Sequence, residues 1–345
     1  MRTGPIDTIR LAIPSKGHLY EGIIDLLQTA GYQVRRASDR QYEATIVGHP
    51  RFHVVFMRPT DIVIQVQEGR CHLGVTGMDV YAEHAFEAEH AAVVIPDLGY
   101  GGCRLVIAVP ESWIDVSHIM DLVDLTTEFK IAGKTFRVST KYPAVVRQYF
   151  RKWGIYYYQL VDSQGALELH PSLGIADIIV DLTSSGTTLK DNRLREIKGG
   201  TVLESAACLI GHAPSLSTLV AEGETGPLAL LLDAIDGVKR SEGLLHLEVV
   251  GNPAAPGPGP ETAAAVARYL SDQGAQHLVR GEVWDDQGQP GWRVTALVAA
   301  SKLSACQRPL LALGASRIVG LPAQFVFDRD VPSTFNELSE RLLRD

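Results

Sequence analysis

The chain has 345 residues, too many for one small core, and domain-size priors favour two or three units. Its 46% apolar and 21% charged residues are an ordinary globular composition, which excludes the disordered and fibrous classes. A net charge of −8, from 32 Lys and Arg against 40 Asp and Glu, argues against a nucleic-acid surface. It leaves room for phosphate-bearing small molecules, which a few local cations and backbone N–H groups can hold.

No apolar run approaches the roughly 18 residues needed to cross a bilayer, and Met1 to Arg10 carries no signal-peptide core. A cytoplasmic protein with no membrane partner is therefore expected. The cysteines, Cys71, Cys103, Cys208 and Cys306, form no C-x-x-C pair and are expected to be reduced and structural.

Ile9 to Pro14 reads as a buried strand, Ser15 to Gly17 as a turn, and Tyr20 to Thr29 as a helix with apolar residues at Ile23, Ile24, Leu26 and Leu27. The strand, loop and helix order recurs at Leu73 to His84, at Arg137 to Trp153 with Pro143 in the first helical turn, and where Ile178 to Val180 reaches the loop around Gly186. Such alternation predicts an α/β fold with mainly parallel strands, whose ligands lie beyond their carboxyl ends.

Cys103 to Val109 follows the turn-rich Asp97 to Gly102 and predicts a crossing into another lobe. Leu203 to His212 returns the chain, giving a cleft between two lobes in the manner of periplasmic binding proteins. The expected divisions are 1–102 plus 190–226 for lobe I, 103–189 for lobe II, and 227–345 for a C-terminal domain.

In that last part Pro227 to Val238 reads as a connecting helix, Leu244 to Val250 as a strand, and Pro253 to Pro260 as a loop that cannot be regular structure. Helix from Glu261 to Leu270, strands His277 to Trp284 and Trp292 to Ala299, helix Leu303 to Leu313 and strand Ser316 to Leu321 complete the β-α-β-β-α-β order of a ferredoxin-like, ACT-like module. Pro332 to Arg344 reads as a final helix with no assigned role.

The segment Asp177 to Leu189 carries the clearest chemistry: a strand with carboxylates at Asp177 and Asp181, then Ser184, Ser185, Gly186, Thr187 and Thr188. Backbone N–H groups and hydroxyls of such a loop can cradle a phosphate, while the carboxylate holds ribose hydroxyls or a magnesium-bound pyrophosphate. The spacing alone is equally that of a capped strand-to-helix junction. By period-two alternation Asp177 shares a face with Asp181, or else it caps the preceding turn.

With this loop, the segments Pro14-Ser-Lys-Gly-His-Leu19, Arg40-Gln-Tyr42, Arg58-Pro-Thr-Asp-Ile62, Leu73 to Asp79, Asp97 to Arg104, Thr140-Lys-Tyr-Pro143, Glu168-Leu-His-Pro171 and Leu203-Glu-Ser-Ala206 resemble, in order, the ATP phosphoribosyltransferase family. The likeness spans residues 9 to 212. It implies joining of ATP to phosphoribosyl pyrophosphate with release of pyrophosphate, the first step of histidine synthesis, with Mg2+ as cofactor. It also implies a C-terminal domain like that of the family's long form, with histidine as inhibitor and a homo-oligomer, a hexamer, as the assembly.

Carried over by position, Ser184 to Thr188 bind the 5′-phosphate, Asp177 and Asp181 face the ribose and the magnesium pyrophosphate, and Lys16, Arg58 and, ranked lower, Arg40 neutralise phosphates. Gly77, Asp79 and Glu168 lie near the nucleotide. Three positions depart from the pattern: His18 stands where arginine is common, Ser185 replaces threonine, and Gly102 occupies an often basic position. The rival readings are a bilobal binding protein without catalysis and an inactive regulatory paralogue.

Overall fold

Ile9–Pro14 is almost wholly buried because it runs between two parallel neighbours, where a strand must be apolar on both faces. The structure, a computed structural model, describes residues 7–38, 40–84, 90–163, 165–221, 225–251, 259–284 and 288–344. Its first stretch comprises β1 (Ile9–Pro14), α1 (His18–Thr29), β2 (Val34–Arg35), β3 (Glu43–Ile46), β4 (Phe52–Met57), α2 (Pro59–Gln67), β5 (Leu73–Gly77), α3 (Met78–His84) and β6 (Ala91–Ile95). There follow β7 (Cys103–Pro110), α4 (Ile119–Ile131), β8 (Arg137–Thr140), α5 (Pro143–Lys152), β9 (Gln159–Asp162), β10 (Ile178–Thr183), α6 (Thr187–Asp191) and β11 (Leu194–Ser205). The chain then forms β12 (Ala207–His212), α7 (Ala213–Ala221) and α8 (Gly226–Ser241). Last come β13 (Leu244–Gly251), α9 (Gly259–Asp272), β14 (Gln276–Trp284), β15 (Pro290–Ala299), α10 (Leu303–Ala312), β16 (Arg317–Pro322) and α11 (Thr334–Arg344).

The first sheet has the order β2-β3-β4-β1-β5-β12-β6, and the second β11-β7-β10-β8-β9. Strands β4, β1 and β5 are parallel, as are β10, β8 and β9, so each sheet presents a row of carboxyl ends. Proline at the first position of α2 and of α5 starts those helices, where its missing N–H costs nothing. Helices α4 and α5 cover the second sheet through Ile119, Leu122, Val146 and Phe150, which pack with Leu105, Val138 and Ile178.

The chain crosses between the sheets twice. The two crossings are bonded to each other, Leu98 N donating to Ala207 O at 2.8 Å and Ala207 N to Tyr100 O at 3.0 Å. Residues up to Ser205 pair with β7 in the second sheet, and Ala207 opens the pairing with β5 in the first. The expected lobe I segment 190–226 is thus corrected: its part through Ser205 belongs to the second sheet, because β11 pairs with β7 there from Leu194 to Ser205.

The chain forms two units, Met1–Leu231 with Thr334–Asp345, and Leu232–Ser333. The second is ferredoxin-like, an antiparallel sheet in the order β14-β15-β13-β16. Along β15, Trp292, Val294, Ala296 and Val298 alternate inward against Val266, Leu270, Cys306 and Leu310 of its two helices. Of the expected loop Pro253 to Pro260, residues 253–258 lie outside those described, and its end is corrected, because Gly259 and Pro260 open α9, where proline is tolerated in the first turn. Residues 285–287 of the turn before β15 also lie outside those described.

The expected 227–345 domain is also corrected, because α11 packs in the first unit. Leu338 is 2% exposed, and the Arg341 guanidinium donates to Val93 O of β6 at 2.7 Å. An amphipathic helix of eleven residues gains its stability from such a buried stripe rather than from propensity. Among the described residues no helix is long and apolar enough to cross a membrane. Cys71, Cys208 and Cys306 are buried free thiols and Cys103 is half-buried.

Two outcomes follow for stability. Leu338→Ala should lower the unfolding free energy of the first unit by about 2–4 kcal/mol in denaturant titration, as for other buried leucines; an unchanged midpoint would show that α11 does not stabilise it. At the amino end of β5, His72 Nδ1 accepts the Arg10 backbone N–H at 2.9 Å, and burial with the charges of Arg10 and His212 holds its pKa at about 4, below the ordinary 6.5. The folded state therefore favours neutral His72, so its stabilising share is complete above pH 6.5 and is lost as pH falls toward 4. His72→Asn should flatten that part of the stability profile.

Candidate active site

The parallel register Pro14↔Met57 and the bond from Ser15 N to Met57 O at 2.9 Å set the loops after β1 and β4 side by side. Lys16 and Arg58 lie on these loops, exposed at the carboxyl edge of the first sheet. Arg58 immediately precedes Pro59 of α2, and Gly17, with φ 81°, makes the turn into α1 that a side chain would strain. Arg40 is exposed on the β2–β3 turn, which reaches the same edge through the bond from Phe56 N to Tyr42 O at 2.9 Å. His18 opens α1, its ring edge-on to Tyr100 of the first crossing at 6.5 Å.

Gly77 and Asp79 belong to the neighbouring edge position, but Asp79 is only 6% exposed. Its Oδ1 accepts from Ser205 Oγ at 2.8 Å and its Oδ2 from Tyr142 OH at 2.7 Å. Both of its oxygens accept from hydroxyls of the other sheet's elements, which ties the start of α3 to them. Gly77 is required by this arrangement: a Cβ there would come within 2.3 Å of Asp79 Oδ1. One turn later Glu83 accepts from Ala144 N and Val145 N at 2.8–3.0 Å, capping the first turn of α5.

In the second sheet Asp181 pairs across from Val106, next to the β8 end where Thr140 meets Lys141. Burial pushes its carboxyl up from the usual range, the nearby Glu168 adds to this, and Leu182 N and Lys141 partly offset it. Glu168 lies in a 3-10 turn, Leu167–Leu169. Asp181 and Glu168 are thus near enough for their charges to interact.

Beyond β10 the chain turns at Gly186, whose φ of 74° favours glycine and whose N–H donates to Thr183 Oγ1 at 2.9 Å. Ser185 Oγ and Thr187 Oγ1 are 2.9 Å apart, and Ser184, Ser185, Thr187 and Thr188 are all exposed. Asp177 does not join them. It lies at the opposite end of β10, roughly 20 Å along the strand, and binds the Arg137 guanidinium at 3.1 Å and the Arg137 backbone N–H at 2.6 Å. Its expected place at the ribose is therefore corrected, since the Arg137 guanidinium and backbone N–H account for its carboxylate.

The sequence alone points to no individual role for Arg104, Tyr142, Ser205 or Glu196. Arg104 pairs with Thr183 in the β7–β10 register, which puts it at the start of the hydroxyl loop, and it binds Glu196 through both guanidinium nitrogens at 2.8 and 3.1 Å. Glu196 Oε1 in turn lies 3.4 Å from where a Gly186 Cβ would be. A cavity of about 530 Å³ at the two crossings is lined by Met78, Asp97, Gly102, Arg104, Ser184 and Ser205, among others. Its lining comes from five separated stretches; Arg104, Tyr142 and Ser205 stand within motifs of the family resemblance, whereas Glu196 stands in none of them.

Removing the Glu83 carboxylate tests how the sheets are held. Glu83→Ala should cost about 1–2 kcal/mol of stability, the usual worth of a lost helix cap, with thermal denaturation as the readout.

The family model for ATP phosphoribosyltransferase (HisG) matches residues 58–232. The chain is 41% identical over 206 residues to the ATP phosphoribosyltransferase of Chelativorans sp., a match covering 59% of this chain and 90% of that protein. It is 39% identical over the same length to that of Brucella anthropi, covering 89% of it. The solved ATP phosphoribosyl transferase (HisG:HisZ) complex from Thermotoga maritima contains a chain with the same fold, at a TM-score of 0.51 and 24% identity, covering 66% of this chain and 98% of that one. With the hydroxyl loop and the crossings falling within the matched region, the chain belongs to the ATP phosphoribosyltransferase family.

Proposed function

We propose that the chain transfers the phosphoribosyl group of phosphoribosyl pyrophosphate to N1 of the adenine of ATP. The observation that carries this reading is the conjunction at one end of the second sheet of Asp181, the exposed hydroxyls of 184–188 and Arg104, with Arg104 and Ser184 lining the cavity at the crossings. The N1 lone pair forms the new bond to the anomeric carbon while the bond from that carbon to pyrophosphate breaks, and pyrophosphate leaves with the electron pair. No proton has to move, so the demands are alignment and stabilisation of charge on the leaving group.

In this reading the loop Ser184 to Thr188 holds the 5′-phosphate through its hydroxyls and backbone N–H groups. Lys16 and Arg58, with Arg40 beside them, meet the pyrophosphate and the phosphates of ATP from the first sheet. Asp181, with Glu168, faces the ribose and holds a divalent cation, Mg2+ by its chemistry. Among the described residues no three His, Cys, Asp or Glu side chains form a ready cage; a pair of carboxylates suits a magnesium ion that keeps its waters and is shared with substrate phosphates. When bound, that ion supplies positive charge to the departing pyrophosphate.

The product commits ATP to histidine synthesis in the cytoplasm, and histidine inhibits through the ferredoxin-like unit of a homo-hexamer. Sedimentation with and without histidine checks the last two points: a shift to a larger species with histidine is expected, and a monomer indifferent to histidine would remove both.

Turnover is measured by absorbance with ATP, phosphoribosyl pyrophosphate, magnesium and pyrophosphatase. Lys16→Ala and Asp181→Ala should each lose most of it, and a folded native chain that binds both substrates without turnover would favour the inactive paralogue. Since Asp181 acts as the anion and its pKa is raised, the rate should fall as pH drops through a value above the usual aspartate range. In Asp181→Asn that limb should disappear.

A further inference from the structure

On the outer side of the second sheet, α5 and the edge strand β9 border an open pocket of about 360 Å³ lined by Arg147, Arg151, Ile155, Tyr156, Tyr158 and Leu160, with both arginines exposed. Arg147 and Arg151 are one helical turn apart and so share a face, where like charges repel. Among the described residues neither forms an ion pair or hydrogen bond, whereas Arg104 and Arg137 each hold a carboxylate. A cation in the last turn of a helix is favoured by the helix dipole, which accounts for Arg151 but not for Arg147 a turn earlier.

The tyrosines complete the pattern. The Tyr158 ring is held edge-on to Phe150 at 4.9 Å, and both guanidiniums act on its hydroxyl. Tyr156 stands 64% exposed at the rim, while Ile155 and Leu160 give the wall an apolar side. The lining thus supplies two forked donors and a hydroxyl, no carboxylate, and a flat apolar surface. Donors of this kind match an oxyanion bidentately.

The cavity is separate from the site already described. Gln159 opens β9 beside Arg137, the first residue of β8, so the cavity lies toward the amino ends of these strands. The 184–188 loop leaves the carboxyl end of β10, which runs parallel to β8.

We propose that Arg147, Arg151 and Tyr158 form a second binding site, for a small organic oxyanion with a planar or apolar body: an aryl carboxylate or a phosphate monoester. The oxyanion binds the two guanidiniums and the Tyr158 hydroxyl, and the body lies against Tyr156 and Leu160.

The test uses the full chain with phenyl phosphate and benzoate as probes, by calorimetry, with phosphoribosyl pyrophosphate in excess to occupy the hydroxyl loop. One site per chain that the excess leaves in place is expected, weakened at least about tenfold in Arg147→Gln/Arg151→Gln, the scale of a lost charge-assisted pair. Tyr158→Phe, which keeps the ring and its packing, should weaken it less. Binding of phenyl phosphate alone, of benzoate alone or of both assigns the anion as phosphate, carboxylate or either. The proposal is overturned if neither probe binds, if the excess abolishes binding, or if the double arginine variant binds as the native chain does. Failure of phosphoribosyl pyrophosphate itself to bind would count against the transferase reading, not against this site, because the arginine variant still reports on it.

Discussion

A buried carboxylate must be hydrogen-bonded where it lies, and much of the first unit's arrangement follows from satisfying the one on Asp79. Unpaired, such a charge would cost several kcal/mol. Ser205, at the end of β11, and Tyr142, before α5, supply the two hydroxyls. Burial and the neighbouring carboxylate push the Tyr142 hydroxyl far above its ordinary pKa, so it stays a donor. This one group ties the start of α3 to the return crossing and to the second sheet, and it demands glycine at position 77. Glu83 repeats the connection a turn later by capping α5.

With the sheets held in this way, Met78 after β5, Asp97 after β6 and Ser184 after β10 line one cavity at the crossings. Electrostatics then distinguish the two sheets' carboxyl ends. The first sheet contributes exposed cations at Lys16 and Arg58, while the second contributes Asp181 and Glu168, whose proximity helps raise the Asp181 pKa. Arg104 is already neutralised by Glu196, and that bidentate pair braces the wall beside Gly186. A net charge of −8 is therefore no obstacle to an anion site, because field strength in a cleft depends on the few nearest groups.

The ferredoxin-like unit is an insertion in the topological sense. The chain leaves the first unit at Leu231 and rejoins it at Thr334, where α11 buries Leu338. The relatives at about 40% identity are matched over nearly their whole length by the first part of this chain. The inserted unit thus adds to a catalytic region that has its own core and its own closing helix.

The sequence by itself determined the elements and their class. Apolar runs such as Ile9 to Pro14 and prolines at helix starts are local signals, and the alternation they make was enough for the α/β lobes and the β-α-β-β-α-β order. It also determined the hydroxyl loop, since Ser184 to Thr188 are contiguous. Only the tertiary structure decided which charges are free. Asp177 and Asp181 look equivalent on one strand, yet Arg137 holds the first at the far end; Asp79 looks available, yet two hydroxyls from distant segments bury it. Arg104 reaches the loop only through a strand pairing 79 residues away in sequence, Arg104 with Thr183. The reason is physical: propensity and periodicity act over a few residues, whereas an ion pair or a buried hydrogen bond depends on distances that no local pattern contains.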